Sequence, residues 1–282
     1  MSKLVLTFGE MLFDDLPSGR RPGGGPFNTA AHLAALGTPS AIITAVGTDE
    51  SGDALLRIAG DHNVGTGYIQ RSFLETGSVK VQLNAKGEAE YDILEPVAWD
   101  DIHPPSSLPS SDAIAFWMLG VRHPTSRKAL KEVLAKVRRS SQDGTEAEAP
   151  RFVDLGIRKE YFDAPLIDWL LKEATVAKLN EEELQIICDT LSIEASPEVL
   201  AKAYNLETVV VTLGSEGAYS WRNGIKTTAT SPKVKVVDTV GCGDAFLAGY
   251  IHHRLQGDDE QVCIENACAR GSYAATLQGG LP

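Results

Sequence analysis

The chain has 282 residues, 43% of them hydrophobic, a composition that supports a folded body and argues against disorder or a fibrous repeat. A formal net charge of −12 leaves no clustered Lys and Arg for a phosphate backbone, so no nucleic-acid partner is expected. Four cysteines (Cys188, Cys242, Cys263, Cys268) without CxxC or zinc-finger spacing, no run near the ~20 apolar residues of a membrane span and no signal-peptide apolar region predict a cytoplasmic protein with free thiols and no membrane partner.

Short β-branched runs alternate with amphipathic segments of helix length, the pattern of a sheet covered by helices on both faces. Residues 4–8 read as a buried strand, 28–36 as a helix stopped by Gly37, and 41–45 as the next strand. A helix over 51–62 puts Ala54, Leu55, Ile58 and Ala59 on one face. A strand at 112–118, a helix at 126–138, a strand at 152–155, a helix at 164–173 and a strand at 175–179 follow. Residues 207–213 and 233–237 read as further strands, and 243–255 and 260–277 as closing helices. The polar stretch 139–150 reads as a surface loop.

Two stretches break that rhythm. Residues 76–98 alternate in the strand period, with Val79, Val81 and Leu83 on one face and a turn at Lys86-Gly87, and residues 11–20 supply another strand. Together they predict a small antiparallel sheet projecting from the body. An edge hairpin of the main sheet fits the same periodicity.

Chemistry concentrates in Asp238-Thr239-Val240-Gly241-Cys242-Gly243-Asp244, between the strand at 233–237 and a long helix. Gly241 and Gly243 remove side chains where backbone must approach a ligand, and the helix behind them turns free N–H groups and its positive dipole end toward that space. Such a turn suits a phosphoryl group in flight, with Asp244 accepting the proton of an attacking hydroxyl; as a bare motif, Asp244 reads equally well as an N-cap. His62, His103, His252 and His253 show no ligand geometry, and Trp117, Trp169 and Trp221 read as packing residues.

The whole pattern resembles the carboxy-terminal signature of the PfkB, or ribokinase-like, carbohydrate kinases. The resemblance extends to Gly23-Gly24-Gly25-Pro26-Phe27-Asn28-Thr29-Ala30 and to Val46-Gly47-Thr48-Asp49 with Gly52, so that it covers nearly the entire chain. It implies one kinase domain over 1–282, with a three-layer α/β/α core, a central mostly parallel sheet, and a β-sheet lid formed by about 11–20 and 76–98. It also implies Mg-ATP as phosphoryl donor and a small sugar as acceptor.

By the same resemblance Asp244 is the catalytic base, and Gly241, Cys242 and Gly243 are its anion hole. Asn180 and Glu183 match the Asn-x-x-Glu motif that organises magnesium and phosphates, Glu183 acting through water; a capping box accounts for the same pair. Thr212, Gly214, Gly217 and Asn266 are placed at the nucleotide. Asp14, Gly24, Gly25, Asn28 and Arg158 are placed at the sugar, the glycines making room for its ring. In Asp154-Leu155-Gly156-Ile157-Arg158 an expected asparagine is replaced by Gly156, and Arg122 is a second arginine of interest whose ordinary reading is a surface residue. Backbone at Asp238 and Val240 would hold a monovalent cation such as potassium, and lid pairing would give a homodimer. Gly9-Glu10-Met11-Leu12-Phe13-Asp14 resembles fructokinase-like members, so a neutral sugar, fructose first, is the expected substrate. The alternatives are 2-keto-3-deoxygluconate, ribose or a nucleoside, or a catalytically silent sensing homologue, to which the missing asparagine points.

Overall fold

The computed structural model describes residues 3–16, 19–83, 89–140, 146–157 and 161–282. The chain opens with β1 (Val5–Phe8), leaves the body as β2 (Leu12–Leu16) and β3 (Gly19–Gly23), and returns through α1 (Gly25–Ala35) and β4 (Ser40–Gly47). α2 (Glu50–Asp61), β5 (Val64–Gly65) and β6 (Ile69–Ser72) precede a second excursion, β7 (Ser78–Leu83) and β8 (Ala89–Ile93). Next come β9 (Ala113–Trp117), α3 (Pro124–Lys136), β10 (Arg138–Ser140), β11 (Glu146–Glu148) and β12 (Arg151–Asp154). α4 (Ala164–Glu173), β13 (Val176–Asn180), α5 (Glu181–Thr190), α6 (Pro197–Tyr204) and β14 (Thr208–Thr212) follow. β15 (Ala218–Arg222), β16 (Ile225–Ala229), α7 (Cys242–Gln256) and α8 (Glu260–Ala274) close the order.

Ten of these strands form the main sheet, in the order β16-β15-β14-β13-β12-β9-β1-β4-β5, with β6 also on β4. Pairings from β14 through β4 to β5 and β6 are parallel, and β15 alone runs against the others, pairing antiparallel with both β14 and β16. Parallel strands need both faces covered, and β1 shows how: Leu6 and Phe8 enter the core under α3, α4, α5 and α6, while Val5 faces the α7 and α8 side. A third cluster packs α2 and α1 onto β4 through Phe27, Ile42 and Leu55.

The helices begin where local chemistry dictates. Asp163 caps Leu166 N in α4, Ser196 caps Val199 N in α6, and Asp259 caps Val262 N in α8, each cap worth about 1 kcal/mol. In α4 the i, i+3, i+4 spacing of Ile167, Leu170 and Leu171 buries all three completely, at about 1.5–3 kcal/mol each. No helix among the described residues is long and apolar enough to cross a membrane.

The excursions form a separate four-stranded sheet in the order β3-β2-β7-β8, the expected lid. It is mixed rather than antiparallel, because β2 and β7 pair in parallel. Both strands leave the body in the same direction, so the lid continues the parallel sense of the sheet below it. The expected turn at Lys86-Gly87 lies outside the described residues.

Asp49 ties the lid root to the body: its Oδ1 accepts Thr76 Oγ1 (2.6 Å) and Gly52 N (2.7 Å), and its Oδ2 accepts Thr76 N (2.7 Å). The Trp99 ring packs against Gly77, where no side chain fits. Arg122 is not a surface residue. Its guanidinium is buried, bound through Nε and Nη2 to Asp100 (2.8 Å each), stacked between Trp99 and Tyr161, and donates to Leu94 O at the end of β8 (2.6 Å).

Two further expectations change. Residues 233–237 form no strand; β16 already completes that edge of the sheet, and Val236 and Val237 are exposed, with Val237 N donating to Ala275 O (2.8 Å). The expected loop at 139–150 contains the antiparallel pair β10–β11.

Candidate active site

The carboxyl ends of the parallel strands converge on one crevice, the usual ligand position in such sheets. Trp117 ends β9, Asp154 ends β12, Asn180 ends β13 and Thr212 ends β14. Above them the first turns of α1 and α7 meet.

Gly241 is the N-cap of α7, at φ 77 in the left-handed region, and a Cβ there would lie 2.5 Å from the Gly280 Cα. It offers no capping side chain; Cys242 N donates to Thr239 O (3.3 Å), and no side chain takes the remaining first-turn N–H groups of α7, which face the ligand space. Asp244 is the third residue of the helix, which removes the N-cap reading. Asn28 Nδ2 donates to Asp244 Oδ2 (2.9 Å), and Thr29 Oγ1 donates to the Asp244 carbonyl (3.2 Å). The amino-terminal glycine motif therefore orients the carboxy-terminal carboxylate. Burial, with the charges of Asp238 and Asp244, raises the Cys242 thiol pKa and keeps it neutral.

Sequence reasoning missed Lys178. Its Nζ lies 2.7 Å from Asp154 Oδ2, with both side chains under a tenth exposed, and a Cβ on Gly243 would stand 3.1 Å from it. Burial opposes its charge, but Asp154, Glu183 and Asp244 outweigh burial and raise its pKa, so it remains an ammonium. The signal was the register: β12 and β13 pair Asp154 opposite Lys178. Gly156 N donates to Asp154 Oδ1 (3.0 Å), so backbone occupies the neighbourhood of the missing asparagine.

Asn180 and Glu183 form the capping box: Asn180 Oδ1 accepts Glu183 N and Glu183 Oε2 accepts Asn180 N, each at 2.8 Å. Glu183 Oε1 also accepts Ile157 N (3.2 Å). With backbone donors on both oxygens, this carboxylate could hold a magnesium ion through the ion's water shell.

Of the residues expected at the sugar, Asp14 sits on β2 against Gly23. Gly24 and Gly25 make room for protein: a Cβ on Gly24 would lie 2.5 Å from Glu10 O, and one on Gly25 2.5 Å from Trp117 Nε1. Arg20 is engaged with Asp15 (3.1 Å), Ser51 and the Phe13 ring, whereas Arg21 lies against Gly279. Arg158 lies outside the described residues.

On the nucleotide side, Thr212 Oγ1 donates to Leu179 O (3.3 Å), and Gly214 opens a turn at φ 58. Gly217 faces Ala229 O too closely for any side chain. Beside this turn lies a cleft of about 770 Å³ lined by Leu213, Ala218, Tyr219, Thr230, Pro232 and Gln261. Asn266 does not line it; exposed, it donates back to Val262 O (2.9 Å). The Asp238 side chain accepts Val240 N and Gly279 N, each at 3.0 Å, and its carbonyl takes the Cys242 thiol (4.0 Å).

Residues 18–281 match the pfkB family carbohydrate kinase model. The chain is 27% identical to fructokinase-1 of Oryza sativa subsp. japonica, over 100% of this chain and 94% of that protein. It is 28% identical to a fructokinase of Escherichia coli, over 100% and 96%. Its fold matches a crystal structure of fructokinase with bound ATP from Xylella fastidiosa with a TM-score of 0.84, at 22% identity, over 100% and 96% of the two chains. The chain belongs to the pfkB family and is an ATP-dependent carbohydrate kinase.

Proposed function

We propose that this kinase transfers the γ-phosphoryl group of Mg-ATP to a hydroxyl of a small neutral sugar, with fructose as its first substrate. The carrying observation is Asp244, held by Asn28 on the uncapped first turn of α7, with the Lys178 ammonium across Gly243. The Asp244 carboxylate takes the proton of the attacking hydroxyl as its oxygen bonds to phosphorus and ADP departs. First-turn amides of α7 and Lys178 hold the charge on the transferring group. Asn180 and Glu183 would hold a magnesium ion through water, and the ion would neutralise phosphate charge when bound with the nucleotide. Backbone at Asp238 and Val240 would hold a monovalent cation beside this turn. The lid excludes water from the closed site, and its edge strands β3 and β8 pair between subunits in a homodimer.

The neutral-sugar reading rests on Arg20, whose charge is spent on Asp15, and on the fructokinase names of full-length relatives. Arg21 favours a second reading: on the lid, paired across from Asp14 and lying against Gly279, it would suit a sugar acid such as 2-keto-3-deoxygluconate. A coupled assay with Mg-ATP over fructose, its 1- and 6-phosphates, 2-keto-3-deoxygluconate, ribose and nucleosides decides. The highest kcat/KM is expected on fructose. A higher value on an acid or phosphate overturns the neutral-sugar reading, and ligand binding without turnover on any substrate overturns the kinase mechanism.

A further inference from the structure

Trp117 ends β9 in the floor of the crevice with 5% of its surface exposed, and its indole Nε1–H is buried without a hydrogen-bond partner among the described residues. Buried polar groups are nearly always paired, so an orphan donor asks for a reason. Its position supplies one. A Cβ on Gly25 would lie 2.5 Å from Trp117 Nε1 and 3.1 Å from Asp244 Oδ1, so the indole donor and that carboxylate oxygen flank the same point. The other carboxylate oxygen already accepts from Asn28. Gly25, lacking a side chain, is what lets the two approach.

We propose that Trp117 is a positioning residue for Asp244, its indole N–H donating to the carboxylate as the site closes around its substrates. The indole is donor only and cannot take the hydroxyl proton itself. Asn28 from above and Trp117 from below would then fix the plane of the carboxylate, leaving its outward lone pairs to the sugar hydroxyl. With both atoms that close to one point beside Gly25, the bond requires movement of the Asp244 and Trp117 side chains alone. This inference rests on the kinase reading for its kinetic consequence but not for the bond itself.

The test is spectroscopic first. Protein labelled with ¹⁵N shows indole signals from its four tryptophans, and Trp117→Phe assigns the one at issue by its loss. In the wild-type protein that signal is expected to move downfield on adding fructose, magnesium and a non-hydrolysable ATP analogue, and to stay in place in Asp244→Ala, which leaves no acceptor. Kinetically, Trp117→Phe is expected to lower kcat by about ten-fold, the scale of one lost hydrogen bond to a charged group, with KM for sugar within about two-fold. An indole signal that behaves alike in wild type and Asp244→Ala overturns the proposal, as does wild-type kcat in Trp117→Phe. Absence of turnover in the wild-type protein overturns the kinase reading instead and leaves the indole comparison to decide this one.

Discussion

At Lys178, burial and charge pull in opposite directions, and the carboxylates win. Removing the ammonium should therefore have two separable effects. Lys178→Met is expected to lower kcat by about 10²-fold, as for loss of a charge that stabilises the transition state, and to destabilise the fold by about 3–5 kcal/mol by stranding Asp154. Adding Asp154→Leu should restore the melting temperature without restoring kcat; recovery of both would assign Lys178 to folding alone. Asp244→Asn is expected to keep ATP binding, measured calorimetrically, while kcat falls at least ~10²-fold. The two residues differ in how far the sequence revealed them. Asp244 stands in a long motif whose glycines announce a ligand. Lys178 stands in Val176-Ala177-Lys178-Leu179-Asn180, where one charged residue in a strand looks solvent-facing, and only pairing with β12 buries it. Trp117 was legible as apolar but not as a donor, because the orphaned N–H exists only in three dimensions.

The lid is an element with its own fastenings. Asp49 holds its entry at Thr76, Trp99 lies on Gly77, and Arg122 grips the exit at Leu94. Gly77→Ala must displace the Trp99 ring, and an overpacked core site of this kind is expected to cost about 1–3 kcal/mol in urea denaturation. The same variant should speed hydrogen exchange in β2 and β7 over that in β9. Uniform exchange across all three would mean that the lid does not depend on this joint. Strand periodicity made the strands within 76–98 readable but fitted a lid and an edge hairpin of the main sheet equally; only the family resemblance chose the lid. Pairing sense was not readable, because antiparallel and parallel neighbours present the same alternation. The strand expected at 233–237 failed for the complementary reason: Val234, Val236 and Val237 have the right composition, but β15 and β16, which the sequence did not disclose, had taken the edge.

Across the whole molecule, His32 reports on how the two ends of the chain are joined. Its imidazole is fully buried, donates from Nε2 to Gly280 O (3.2 Å), and accepts at Nδ1 from Arg270 (3.0 Å). Burial first, and Arg270 second, lower its pKa from 6.5 to about 3. The unfolded chain takes that proton near 6.5 and the folded one does not, so stability is full above 6.5 and falls as pH drops toward 3. About 2 kcal/mol should be lost between pH 6.5 and 5, and His32→Leu should flatten that slope in denaturation curves. An unchanged slope would mean that His32 titrates as in the unfolded chain. The bond between Asn28 and Asp244 spans 216 positions of sequence. A ribosome adding about 5–20 residues each second needs on the order of 10–40 s between the two. During that interval α1, whose residues from Pro26 to Leu33 are all buried in the finished fold, has neither α7 nor Gly280 to cover it. A nascent chain stalled before residue 244 would offer that apolar helix to chaperones and would have no base to work with.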